Sequence, residues 1–330
     1  MDMDFPHKQF QIRVLSCRDA LKALKHDVLE GIISAPRSLP PKYFYDETGS
    51  RLFDAICKTR HYYLTRTESA LLEKHSDDIM AAVQPRACVE LGAGSSLKTE
   101  FLLSRLVAGS QQATYVPIDV CEEVLIESAG RLLHRYPQLH IEALAGEYLA
   151  AIRELPNLEG PVLFVFIGSS IGNFSASESM ELLSRVAGIM APGDAILLGV
   201  DRVKNKEVLE QAYDDDEGIT AQFNLNVLNV LNTRLQGNFR LENFSHRAVY
   251  HETKEQIEMY LVAKQDQRVA LEGLGESLQI QAGEAILTEI SRKYTRTSIQ
   301  RLLAGSGLAE HSHFVADDEY FSLVLAQAQE

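Results

Sequence analysis

The chain has 330 residues, 45% of them hydrophobic and 24% charged, a composition of folded rather than disordered proteins at a length beyond what a single core ordinarily supports. Its net charge of −14 repels phosphate backbones and anionic lipid headgroups unless a basic patch overrides it, and the sequence holds no such patch, so neither nucleic acid nor membrane is an expected partner. Cys17, Cys57, Cys88 and Cys121 include no CxxC pair that could seed a zinc or redox site. With an acidic start and no apolar run near the ~20 residues of a membrane helix, the expectation is a cytoplasmic protein with reduced thiols.

Thr65 and Glu68 have capping-box spacing ahead of Leu71, Leu72, His75, Ile79 and Val83, which predicts a helix over 66–83. Buried-looking strand runs follow at 87–91, 114–120, 141–145, 161–167 and 195–200, separated by amphipathic stretches, the alternation of a parallel sheet. Between the last two, Ser175 and Glu178 form a second capping box, and Pro192-Gly193 ends the helix they open. From 205 to 235 the pattern is helical, with Asn226, Asn229 and Asn232 as a polar stripe that faces solvent or, on a second reading, hydrogen-bonds inside an inter-domain cleft. Residues 246–281 carry short β-like runs, a separate antiparallel piece. A helix near 298–303 and two strands, 309–315 and 320–326, close the chain.

Glu90-Leu91-Gly92-Ala93-Gly94-Ser95-Ser96-Leu97-Lys98-Thr99 follows the first buried strand and opens a helix. Glycines at the carboxyl edge of a strand let the backbone approach a ligand closely. A dinucleotide fingerprint wants a third glycine at position 97, where this chain has Leu97, so a dinucleotide is disfavoured. Asp119, 27 residues beyond Gly92 at the end of the second strand, can accept both hydroxyls of a ribose. An adenosine ligand without phosphates fits best, with S-adenosylmethionine the commonest such cofactor; the competing reading is a tight strand-to-helix turn. Glu147-Tyr148 stands where a polar group and an aromatic could hold adenine, or is a surface turn. Gly168 to Phe174 places the Asn173 amide and the Ser170 hydroxyl at the same sheet edge, unless Asn173 merely flanks a helix.

Several motifs outside the cofactor loop carry a resemblance. They are the runs 39–50 (LPPKYFYDETGS), 61–68 (HYYLTRTE), 90–98, 168–174, 212–215 (AYDD), 257–260 (IEMY) and 287–291 (LTEIS). Together, in order from about residue 38 to 325, the chain resembles the histidine-specific N-alpha-methyltransferases of ergothioneine biosynthesis. The resemblance implies an α/β fold, a Rossmann-like seven-stranded methyltransferase sheet over 65–203 and 294–330, with a second α+β substrate-binding domain over 1–64 and 204–293. It further implies S-adenosylmethionine held by Gly92, Gly94, Lys98, Asp119, Glu147 and Tyr148, the last two replacing an Asp-Phe pair. The substrate carboxylate would be bound by Asn173 and Tyr213, and the amino group and ring approached by Tyr45 and Tyr63. The imidazole would be hydrogen-bonded by Glu289 and Ser291, with Gly168, Ser170 (a threonine elsewhere in the family) and Met259 lining the pocket.

The implied activity is stepwise methylation of L-histidine to the N-alpha-trimethyl betaine hercynine, with the methylated intermediates as further ligands and no obligate protein partner. It needs no metal and no covalent nucleophile, since displacement at a sulfonium methyl asks chiefly for alignment of an amine lone pair and exclusion of water. Rival readings are a methyltransferase of tryptophan or another aromatic amino acid, and a non-catalytic binder of nucleoside or amino acid. His311 and His313 lack a third metal ligand, and the acidic run Asp214 to Glu217 is read as capping the turn after Tyr213.

Overall fold

The computed structural model describes residues 9–15, 17–110 and 112–329. In chain order the elements are β1 (Phe10–Val14), α1 (Cys17–Gly31), β2 (Arg37–Ser38), α2 (Glu47–Ile56), α3 (Tyr63–Val83), β3 (Ala87–Leu91), α4 (Glu100–Gly109), β4 (Ala113–Asp119), α5 (Glu122–Arg135), β5 (Leu139–Ala145), α6 (Tyr148–Arg153) and β6 (Val162–Phe166). They continue as α7 (Ala176–Ala187), β7 (Ala195–Asp201), α8 (Lys206–Tyr213), α9 (Ile219–Leu235), β8 (Phe244–His251), β9 (Gln256–Ala263), β10 (Gln267–Leu271), β11 (Glu276–Ile280), β12 (Ala285–Arg292), α10 (Arg296–Gly305), β13 (Leu308–Val315) and β14 (Phe321–Ala328). These elements divide into two compact units, one of residues 9–15, 64–203 and 293–329, the other of 17–63 and 204–292.

The first unit is built on a sheet in the order β1-β5-β4-β3-β6-β7-β14-β13. β1 to β7 of this order run parallel, and β14 enters antiparallel between β7 and β13. β3, β6 and β7 are buried at every position, as strands covered on both faces must be. The sheet has eight strands where seven were expected, because β1 pairs in parallel with β5, Phe10 opposite Ile141 through Val14 opposite Ala145. That pairing also moves residues 9–15 out of the 1–64 segment expected in the second domain. α3 begins at Tyr63 rather than after a Thr65 cap. Glu68 lies on the same helical face as Leu72 and Ile79, all fully buried. The second expected capping box is present: the Ser175 side chain accepts from the Glu178 N–H and Glu178 returns a bond to the Ser175 N–H.

The second unit holds the four-stranded sheet β2-β12-β9-β8 and the hairpin β10-β11. The expected helix over 205–235 is two, because Asp215 accepts from the N–H groups of Ile219 and Thr220 and so caps α9 afresh. The stripe on α9 does not simply face solvent. Asn226 is buried, donating to Asp46 Oδ1 at 2.8 Å, and Asn232 closes on both backbone groups of Phe239; only Asn229 is exposed. Mixed apolar and polar positions all round α9 explain why its periodicity misleads. Among the described residues no helix is long and apolar enough to cross a membrane, and no group of three or more His, Cys, Asp or Glu could hold a metal ion.

Candidate active site

In the first unit the strand-to-helix loop after β3 turns through three residues of positive φ, Gly92 at 73°, Gly94 at 47° and Ser96 at 54°. A Cβ on Gly92 would come within 2.7 Å of the Tyr148 hydroxyl, whereas one on Gly94 would meet nothing within 4 Å. Glycine is favoured at 92 by its positive φ and by the nearby Tyr148 hydroxyl, and at 94 the backbone faces open space that a ligand can approach.

Beneath the loop Glu90 is buried and accepts from the hydroxyls of Thr99 and Tyr115, the latter 2.8 Å from Ser96 Oγ. Burial pushes the Glu90 carboxyl up to about 7, against the opposing pull of Thr99, Tyr115 and Lys98. A carboxyl raised on folding binds protons more tightly in the native state, so this group's contribution to stability is fully present below the ordinary carboxylate range and is lost as pH rises through about 7. Glu90→Gln should flatten that decline, measurable as urea midpoints at roughly pH 5 and pH 8.

Asp119 closes β4, partly buried, with Oδ2 accepting from the Gly94 N–H at 2.8 Å and Oδ1 from the Cys121 N–H at 3.0 Å. Desolvation raises its pKa, opposed by those backbone donors. Each oxygen keeps a lone pair for another donor, so the cradle of Gly94 and Asp119 fits a ribose with vicinal hydroxyls. Asp119→Ala should weaken S-adenosylhomocysteine binding by about 1–3 kcal/mol in calorimetry; an unchanged affinity would remove Asp119 from the site.

Glu147 is exposed at the head of α6, and Tyr148 is half-buried with its phenol pKa raised by burial. Its ring meets Phe166 edge-on at 5.4 Å and Phe174 at 6.1 Å. The two phenylalanines extend the aromatic wall, one from the end of a buried strand and the other from the residue after Asn173. Neither stands out from core residues by sequence pattern. Lys98 Nζ is ion-paired with Glu68, whose carboxylate also takes the Gly168 N–H. Gly168, at φ 81°, begins the turn from β6 into the 3-10 segment Ser170–Asn173. The Ser170 hydroxyl donates to the Ile167 carbonyl at 3.0 Å, and the Tyr294 hydroxyl braces the same turn through the Ile171 carbonyl at 3.3 Å.

The second unit gathers Tyr45, Tyr63, Tyr213, Met259, Glu289 and Ser291. Tyr213 ends α8, and its hydroxyl is 2.8 Å from Ser291 Oγ. Glu289 stands opposite Met259 across the β12–β9 pairing, and Ser291 opposite Ile257; residues two apart on a strand share a face, so Glu289 and Ser291 point the same way. The register shifts between Leu287 and Glu289, a bulge of the kind that re-aims a side chain. Thr288, at the bulge, bonds Asn224 Oδ1 at 2.7 Å and lies 3.1 Å from the Met259 carbonyl.

Because Asn224 Oδ1 accepts there, its Nδ2 donates to His246 Nδ1 at 2.8 Å, and His246 Nε2–H donates to the Tyr213 carbonyl at 2.8 Å. Burial lowers the His246 pKa, consistent with that neutral tautomer. His246 and Asn224 thus brace Tyr213 from behind, a linkage for which neither residue's spacing gives a signal.

Tyr62, within HYYLTRTE, has no assigned role from its sequence context; it is 6% exposed and meets Tyr213 edge-on at 6.1 Å. Burial pushes its phenol up, reinforced by Tyr213, Cys57, Tyr45 and Glu289 nearby. Tyr45 packs against Phe53 and Phe223 at 5.8 and 5.7 Å. Tyr63 accepts a hydrogen bond from Lys204 Nζ at 2.6 Å.

A glycine turn after the first central parallel strand, open at Gly94, with a carboxylate at the end of the next strand, is an arrangement of the methyltransferase class, and the residues present fit S-adenosylmethionine. Comparison with known proteins is more specific. Residues 24–328 match the family described as histidine-specific methyltransferase, SAM-dependent, and the chain belongs to it. It is 40% identical to the Histidine N-alpha-methyltransferase of Mycobacterium tuberculosis over 92% of this chain and 94% of that one. It is 39% identical to the protein of the same name from Mycolicibacterium smegmatis, over 94% and 97%. Ergothioneine biosynthesis protein 1 of Neurospora crassa is 28% identical over 89% of this chain but only 34% of its own length.

Proposed function

We propose that the protein methylates the α-amino nitrogen of L-histidine, stepwise to hercynine, the entry to ergothioneine biosynthesis. The observation that carries this reading is the 40% identity to a histidine N-alpha-methyltransferase along nearly the whole of both chains. Bound S-adenosylmethionine supplies an electrophilic methyl on a sulfonium. The protein's own contribution is to align the amine and keep water out. Asp119 and Gly94 hold the ribose, Tyr148 with Glu147 the adenine, and Lys98 the carboxylate of the cofactor's amino-acid end.

Asn173 and Tyr213 take the carboxylate of histidine, with Ser291 fixing the direction of the Tyr213 hydroxyl. Glu289 and Ser291 face the imidazole, and Gly168, Ser170 and Met259 complete the wall. Tyr45 and Tyr63 attend the amine. Successive methylation ends in a cation with no N–H donor, so aromatic rings and hydroxyl oxygens, such as those of Tyr45 and Tyr63, suit every stage.

Incubation with S-adenosylmethionine and each proteinogenic amino acid, read by mass spectrometry, tests the assignment. The expected result is trimethylated histidine and little transfer elsewhere; preference for tryptophan, or no transfer, overturns it. Tyr213→Phe is expected to raise the histidine KM by about tenfold, as one lost hydrogen bond to a charged group requires, with S-adenosylhomocysteine affinity unchanged in calorimetry. Equal losses for both ligands would make Tyr213 a support of the fold instead.

A further inference from the structure

Glu68 is a fully buried carboxylate on α3, and none of the steps above uses it. Removing such a group from water is costly unless good partners replace the water. Its partners are the ammonium of Lys98 and the N–H of Gly168, the latter 2.8 and 2.9 Å from its two oxygens. One side chain thus ties the loop after β3 to the turn after β6. β7 makes room for it, since a Cβ on Gly199 would overlap Glu68 Oε1. Glycine inside a strand weakens the strand, and a close approach by another group is one reason to have it there.

We propose that Glu68 is a positioning residue for both ligands. It fixes the direction of the Lys98 ammonium, leaving other N–H bonds of that group for the carboxylate of the cofactor's amino-acid end. It also fixes the peptide at Gly168, whose turn lines the histidine side. An ordered lysine loses less side-chain entropy on binding than a free one, so the ion pair is paid for before the ligand arrives. The inference rests on the assignment of Lys98 to cofactor and Gly168 to substrate made above.

Three substitutions separate the two tethers. Glu68→Gln keeps an oxygen for the Gly168 N–H but turns an amide donor toward Lys98; it should weaken S-adenosylhomocysteine binding by about tenfold to a hundredfold and alter the histidine KM by less than about threefold. Glu68→Ala removes both acceptors and should raise the histidine KM by about tenfold as well. Lys98→Met should match the cofactor loss of Glu68→Gln, and the double variant Glu68→Gln/Lys98→Met should be no worse than Lys98→Met alone, the non-additivity of groups acting as a unit.

Calorimetric affinity, the KM and a thermal melt are read on each. If Glu68→Gln unfolds, Gly199→Ala, which crowds the carboxylate while keeping both partners, is expected to show the same loss of S-adenosylhomocysteine affinity. Loss for Lys98→Met with wild-type affinity in Glu68→Gln, or additive losses in the double variant, overturns the role of Glu68 alone. Wild-type affinity in Lys98→Met overturns the assignment of Lys98 to cofactor, and the proposal with it.

Discussion

Glu289→Ala is expected to lower kcat/KM for histidine by about tenfold to a few hundredfold, the equivalent of about 1.5–3 kcal/mol for a hydrogen bond to a charged group. The carboxylate is 9% exposed, opposite Met259 on a strand whose bulge at Thr288 sets its direction, and near the buried Tyr62 phenol. An imidazole N–H can donate to that carboxylate and a phenyl ring cannot. A site built around such a group rejects a ligand lacking the donor more strongly than it rewards one that has it. Glu289→Ala should therefore also narrow the gap between histidine and phenylalanine in a competition assay with histidine, tryptophan and phenylalanine. If order and ratios match the wild type, the ring is read elsewhere, with Tyr63 the next candidate.

Lys293→Met should cost about 3–5 kcal/mol of stability, the usual effect of breaking a buried ion pair from one side. Lys293 Nζ lies 2.9 Å from Asp201 Oδ2, and both side chains are wholly shielded from solvent. Asp201 closes β7, its N–H donates to Ser169 Oγ at 3.0 Å, and its carbonyl accepts from Tyr294 at 2.8 Å. Leaving that carboxylate without the ammonium penalises the junction between β7 and the turn that carries Ser170 and Asn173. Pairing the change with Asp201→Leu should recover much of the loss, because the desolvation cost then disappears with the charge. Urea unfolding of the single and double variants decides it; a double variant less stable than Lys293→Met would mean that Asp201 is held by its other bonds rather than by the pair.

The central strands and the glycine turn after β3 were legible because each has a local cause. Ala87–Leu91 and Pro161–Ile167 are short apolar runs, the GxG turn follows its strand directly, and Asp119 ends the next one. β1 was hidden because a five-residue edge strand with three exposed positions leaves little periodic signal. β12 has no clear strand signal because Thr288, Glu289 and Ser291 interrupt its apolar alternation. Glu68 was read as a cap from its spacing to Thr65, although its spacing to Leu72 and Ile79 also marks it as a charge on an apolar face. Tyr62, His246 and Asn224 act through tertiary neighbours from α8, α9 and β12, which no local pattern reports.

β14 lies inside the sheet rather than at its rim, between β7 and β13, with Phe321, Leu323, Val324 and Leu325 at most 1% exposed. During synthesis β7 therefore stays an open template until Phe321–Ala328 emerges, while every strand of the other unit has already left the ribosome. Pairing over such sequence separation is slow, since the loop must close before the contact rewards it. The nascent sheet unit thus waits with a buried-type strand, Ala195–Asp201, unpaired along one side, the state most prone to capture by a neighbouring chain.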